Sequence, residues 1–79
     1  EVRISGRTVP FTYKEYELIK LFMENKNRVF TREELLNQVW GYDYYGDGKV
    51  VNGHIKNIRK KIGMNFITTV RGMGYKIDG

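Results

Sequence analysis

The segment Lys49-Val-Val-Asn-Gly-His-Ile-Lys-Asn-Ile-Arg-Lys-Lys-Ile62 concentrates the groups of this sequence best suited to holding a ligand. At about 100° per residue, Val51, Ile55, Ile58 and Ile62 fall within about 40° of one line, which predicts the buried stripe of an amphipathic helix. Lys49, Gly53, Lys56 and Lys60 lie opposite that stripe, Asn52 and Asn57 flank this outer strip on either side, and His54 and Arg59 lie nearer the core boundary on opposite sides. A face of cations and carboxamides without a carboxylate has the chemistry of polyanion recognition. Asn can pair with adenine through two hydrogen bonds, and Lys can reach guanine acceptors. An ordinary solvated helix face interleaves Glu with Lys, and this one has no Glu. Gly53 costs about 1 kcal/mol against Ala in mid-helix. Either a partner approaches the helix closely there, or the helix is weak and orders on binding.

Charge placement agrees. The chain carries a net +5 over 79 residues, yet up to Asp47 seven basic residues face eight acidic ones. From Gly48 to Ile77 there are seven basic residues and no acid. Such a one-sided block is either a solvated basic face or the footprint of a nucleic acid. Beyond the helix, Phe66-Ile-Thr-Thr-Val-Arg71, Gly72-Met-Gly74 and Tyr75-Lys-Ile77 predict a hairpin with a basic tip, where Arg71 can enter a minor groove. His54, the sole histidine, has no second metal ligand at suitable spacing and is expected to pack or to contact phosphate. The sequence has no phosphate-cradling loop followed by Gly-Lys-Ser/Thr and no His-Glu-x-x-His. Gly72-Met-Gly-Tyr breaks the dinucleotide glycine spacing. The expectation is a binding protein without catalytic residues, metal or cofactor.

The remaining elements must hold that helix. A chain of 79 residues makes one small domain, burying roughly 60% of its unfolded surface. No cysteine is present and no apolar run reaches membrane-spanning length, so a soluble, intracellular (cytoplasmic) protein is expected. Val2 to Val9 predicts a short hairpin about Ser5-Gly6. Thr12 with Glu15, and Thr31 with Glu34, form capping boxes that predict helices over Tyr13 to Glu24 and from Thr31 to about Trp40. Phe11 with Tyr16, and Phe30 with Leu35, are the matching staples. The apolar positions Tyr16, Leu18, Ile19, Phe22 and Met23 are expected to face the core from the first helix, and Leu35, Leu36, Val39 and Trp40 from the second. Asn25-Lys-Asn27 and Gly41 are the stops. Gly41 to Gly48, rich in aromatic, Gly and Asp residues, predicts a structured loop, and Asp47 is expected to cap the basic helix.

These residues resemble the OmpR/PhoB-type effector domains of bacterial two-component response regulators. The resemblance runs from about Val2 to Ile77. It rests on Phe11-Thr-Tyr-Lys-Glu-Tyr-Glu-Leu18, Arg28-Val-Phe-Thr-Arg-Glu-Glu-Leu35, Val39-Trp-Gly-Tyr42, Val50-Val-Asn-Gly-His-Ile-Lys-Asn-Ile-Arg-Lys-Lys61 and Thr69-Val-Arg-Gly-Met-Gly-Tyr75. It implies an α+β winged helix-turn-helix: three helices, an N-terminal hairpin left from a larger four-stranded sheet, and a C-terminal hairpin wing. It also implies that the domain reads double-stranded DNA, with the third helix in the major groove and the wing in the minor groove. Lys49, Asn52, Gly53, Lys56 and Asn57 fall where the family meets bases or nearby phosphates. Trp40, His54, Arg59, Thr69 and Tyr75 fall where it holds phosphates, and Arg71 falls at the wing arginine. The loop from Gly41 to Gly48 falls where the family can touch RNA polymerase. Two copies are expected to occupy direct-repeat half-sites in promoters, from a monomer in isolation. A histidine kinase would act only through a receiver domain absent here, so the chain is expected to be a fragment of a longer regulator. Relatives usually carry Asp, Val and Arg where this chain has Asn52, Gly53 and Asn57, so an unusual DNA site is expected. A protein-interaction module that has lost specific DNA contact is the alternative.

Overall fold

Two Thr-x-x-Glu boxes start two helices. The Thr12 hydroxyl accepts from Glu15 N–H (3.3 Å) and the Glu15 carboxylate accepts from Thr12 N–H (3.0 Å), opening α1 (Tyr13–Glu24). Thr31 and Glu34 exchange the same bonds at 3.0 and 2.9 Å, opening α2 (Arg32–Leu35). Both boxes satisfy backbone donors that would otherwise be orphaned in the first turn. In the computed structural model, which describes residues 2–4, 7–42, 44 and 46–79 (for 2–4, 7 and 8 the backbone alone), α2 passes without a break into a π-helical turn (Leu36–Trp40). Gly41 N–H donates to the carbonyl of Leu36, five residues back, at 3.1 Å. The Asn25 side-chain amide donates to the carbonyl of Leu21 at 2.9 Å to end α1. Asn27 then takes a left-handed backbone (φ 70°), which Asn tolerates better than most residues, and its N–H donates to the Ile77 carbonyl at 2.8 Å.

Antiparallel β1 (Val2–Ile4) and β2 (Arg7–Val9) precede α1, with Val2 opposite Val9. The predicted turn at Ser5-Gly6 lies outside the described residues. The third helix, α3 (Lys49–Ile62), is followed by β3 (Thr68–Val70) and β4 (Gly74–Lys76), paired antiparallel with Thr69 opposite Tyr75. Leu18, Ile19 and Phe22 of α1, Leu35 and Val39 of the second helical segment, Val51, Ile55 and Ile58 of α3, and Phe30, Ile67 and Ile77 make one core. Phe22 and Phe30 meet edge to face at 5.8 Å. Fully burying each such side chain contributes about 1.5–3 kcal/mol. No helix among the described residues is long and apolar enough to cross a membrane.

Three expectations need correction. Tyr16 and Met23 lie on the exposed side of α1, because Leu18, Ile19 and Phe22 already fill its inward face. Ile62 is half-buried, at the end of the α3 stripe. Gly48 already has helical dihedrals (φ −57°, ψ −13°) and occupies the cap position, so Asp47 closes a turn just before it, accepting from Lys49 N–H at 3.0 Å.

Two long-range ties set α3 and the wing in place. Glu15, only 3% exposed, receives a 2.6 Å bond from Lys61 at the end of α3 while also capping α1. Lys61 Nζ also lies 5.4 Å from the centre of the Phe11 ring. In the wing, Phe30 and Tyr75 exchange both backbone bonds, at 2.8 and 2.9 Å, so β4 is bridged to the segment entering α2. Gly74 makes that approach possible. A Cβ there would overlap the Phe30 carbonyl, and its φ of 155° is one that side chains rarely adopt.

Each tie generates a test. Burial pushes the Glu15 carboxyl up, but the bonds from Lys61 and Thr12 N–H outweigh it and hold it below the ordinary value of 4.5. A depressed carboxyl stabilises the fold above its unfolded value, and that contribution is lost as pH falls through the folded one. Glu15→Gln is expected to cost about 1–3 kcal/mol at pH 7 in urea unfolding. It should also flatten the decline of stability below pH ~4.5. Wild-type and variant declining in parallel would refute this. Gly74→Ala is expected to lower stability by more than about 2 kcal/mol. In amide hydrogen exchange, Phe30 and Tyr75 N–H should lose protection before the rest of the core.

Candidate nucleic-acid interface

The apolar stripe of α3 fixes its rotation, and the opposite face is therefore outward. Lys49, Asn52, Gly53, Lys56, Asn57 and Lys60 are all exposed, as is Arg71 in the turn between β3 and β4. Gly72, at φ 74°, makes that turn tight. The exposed strip of α3 and the wing tip present no carboxylate.

The remaining predicted residues form two groups on either side of the strip. Trp40, His54 and Lys14 gather where α1, the π-helical turn and α3 meet. His54 Nδ1–H donates to the Val50 carbonyl at 2.9 Å, a partner that requires the proton on Nδ1 and leaves Nε2 as the ring's second polar atom. The ring packs edge to face on Trp40, centroids 5.0 Å apart. Lys14 Nζ donates to the Val39 carbonyl at 2.7 Å and lies 5.7 Å from the Trp40 ring centre. It thus satisfies a carbonyl at the end of the π-helical turn.

On the other side, Asn52, Arg59, Thr69 and Tyr75 are connected. Arg59 donates from one nitrogen to the Ile67 carbonyl (2.7 Å) and the Thr69 hydroxyl (2.8 Å), and its guanidinium lies 5.7 Å from the Tyr75 ring centre. The Tyr75 hydroxyl donates to Asn52 Oδ1 at 3.0 Å. Arg59 therefore fastens α3 to the wing, whatever else it touches. Arg32, exposed in the first turn of α2, lines a cleft together with Asn52, Thr69 and Tyr75. Sequence reasoning missed it because only the tertiary bridge between Phe30 and Tyr75 brings that turn beside the wing.

The structure also sorts the basic block by use. Lys61 pairs with Glu15, Lys76 pairs with Asp78 at 3.0 Å, and Arg59 serves the wing. Lys49, Lys56, Lys60 and Arg71 are exposed and form no ion pair among the described residues. Beside α3, Tyr42 is 82% exposed, while Tyr44 leans on Trp40 at 6.4 Å.

Residues 6–77 match the family model described as "Transcriptional regulatory protein, C terminal". The regulatory protein VanRB of Enterococcus faecalis is 46% identical over 77 residues, covering 98% of this chain and 35% of its own length. The chain therefore spans about a third of that relative. The crystal structure of the DNA-binding domain of Bacillus subtilis CssR is similar at a TM-score of 0.84 and 35% identity, covering 91% of this chain and 82% of that one. The response regulator DrrB of Thermotoga maritima, described as an OmpR/PhoB homologue, superposes at 0.87 with 33% identity, covering 96% of this chain and 36% of its own.

Gly53 stands apart from the glycines that the fold requires. A Cβ built there meets nothing within 4 Å, and its backbone is ordinary helix. Gly53→Ala is expected to stabilise the domain by about 1 kcal/mol, seen as a higher urea midpoint. A lower midpoint would mean that the fold itself needs the glycine.

Proposed function

The chain belongs to the family of C-terminal domains of transcriptional regulatory proteins, as a DNA-binding winged-helix effector domain of OmpR/PhoB type, and we propose that α3 enters the major groove while Arg71 enters the adjacent minor groove. The observation that carries this reading is the outward strip Lys49, Asn52, Gly53, Lys56, Asn57 and Lys60, free of acid, with Asn52 lining the same cleft as Gly72 of the wing turn. An α-helix fits the major groove, and amides and cations are the groups that read base edges and hold phosphates there.

The roles divide by position. Asn52, Asn57, Lys49 and Lys56 face bases, with Gly53 allowing the helix backbone to come close. Lys60, Arg32, Trp40, His54, Thr69 and Tyr75 line the flanks where phosphates pass. Arg59 acts chiefly by holding Thr69 and the Tyr75 ring in place. Two copies on direct-repeat half-sites, about one helical turn apart, would give the affinity that one small strip lacks. Tyr42, with most of its ring in solvent, is the residue we assign to contact with RNA polymerase. The chain spans about a third of its relatives, so the remainder of such a protein would bring the signal, through a receiver domain addressed by a histidine kinase. A domain that reads promoters this way works in the bacterial cytoplasm.

A mobility-shift titration against duplex DNA at several salt concentrations tests the reading. The four free cations of α3 and the wing turn, together with Arg32, predict that log affinity falls against log salt with a slope of about −4.5 per bound copy, whereas engagement of the whole basic block as well would give about −7. No binding at low salt, or no preference over bulk DNA, would overturn it.

A further inference from the structure

The 2.9 Å bond between His54 Nδ1 and the Val50 carbonyl fixes where the ring keeps its hydrogen. A carbonyl oxygen can only accept, so Nδ1 must donate, and in the neutral ring Nε2 is then a bare lone pair. Among the described residues Nε2 has no partner and is not sealed from solvent, and the same holds for the indole N–H of Trp40, on which the ring packs. The charged groups about the ring come from two helices. Lys14 of α1 has its Nζ 5.7 Å from the Trp40 ring centre. Glu15 of α1, within electrostatic reach of His54, is already bonded to Lys61 of α3. The π-helical turn brings the uncharged Trp40, with Tyr44 against it.

Resting on the reading that His54 lies where a DNA phosphate passes, we propose that this contact is proton-coupled: the domain takes up one proton at His54 Nε2 when it closes on duplex DNA. A phosphate oxygen is a negatively charged acceptor, and against the neutral ring it would face a lone pair. Moving the hydrogen from Nδ1 to Nε2 does not relieve this, because it breaks the Val50 bond and sets two lone pairs against each other. Adding a proton to Nε2 keeps the Val50 bond and gives the phosphate a charge-assisted donor. Lys14 repels the new positive charge and Glu15 attracts it, and the phosphate is the one charged group that binding adds. Imidazole is the side chain that exchanges a proton near neutral pH. Bound DNA favours the protonated ring, so affinity rises as pH falls.

The test uses the 79-residue domain and one duplex recovered by selection from a randomised pool. Titrations between about pH 6 and 8 at fixed salt are expected to show wild-type affinity falling as pH rises, by up to about tenfold per unit for one proton. The salt slope should be steeper by about 0.9 at the acid end, where one more cation meets the phosphates. Calorimetry in buffers of different ionisation enthalpy should count an uptake approaching one proton per bound copy, and His54 is the only imidazole available to take it. His54→Gln should lose both the pH dependence and the uptake, binding about tenfold more weakly than wild type at the acid end and converging with it at the alkaline end. Should His54→Gln unfold, the wild-type proton count decides alone. A wild-type affinity and proton count that ignore pH overturn the proposal and leave Nε2 joined to phosphate through water or facing solvent. A pH dependence that survives in His54→Gln overturns it as well. A wild type that binds no duplex at any pH overturns both this proposal and the reading on which it rests.

Discussion

The pair of backbone hydrogen bonds between Phe30 and Tyr75 is the constraint on which the functional half of the molecule depends. A lone two-stranded hairpin is marginal in water. Here β3 and β4 are only three residues each, and the wing gains its fixed position by borrowing the chain that enters α2. That loan demands Gly74, brings Arg32 beside the wing, and sets the Tyr75 ring where Arg59 and Asn52 can reach it. Phe30 belongs to the same knot from the other side, since its ring is fully buried against Phe22. Core packing and the outward surface are thereby linked through one residue's main chain and side chain.

A second economy concerns charge. The sequence offers a basic block that looks uniform, but the fold uses its members differently. Lys61 neutralises a buried carboxylate that also caps α1, so one acid both starts a helix and holds the end of another. Lys76 and Arg59 likewise have partners within the chain. What faces outward is a smaller set of cations spaced along one helix face and one turn. This favours positioning over bulk attraction.

Much of this was legible in the residues because it is local. The capping boxes at Thr12 and Thr31 placed two helix starts correctly, since their bonds span three residues. The α3 stripe was legible because a 3.6-residue period is written directly into Val51, Ile55 and Ile58. Tyr16 and Met23 misled for the same reason: they fit the α1 period loosely, and only packing decides how wide a buried face becomes. The π-helical turn at Leu36–Trp40 left no trace in propensity, and it ends with the Trp40 ring packed on His54. The bonds from Arg59 to Thr69 and from Tyr75 to Asn52 join residues 10 and 23 positions apart. Only the family resemblance had singled out Thr69 and Tyr75, and it gave no hint of what they hold inside the domain.

The tie between Tyr75 and Asn52 also bears on how such a domain could be re-engineered. A surface helix can be regarded as an interchangeable cartridge, but here one of its exposed side chains is hydrogen-bonded to a strand that follows it. Exchanging α3 alone would seat a foreign side chain beneath a hydroxyl matched to a carboxamide. The unit to transplant is the helix together with β4.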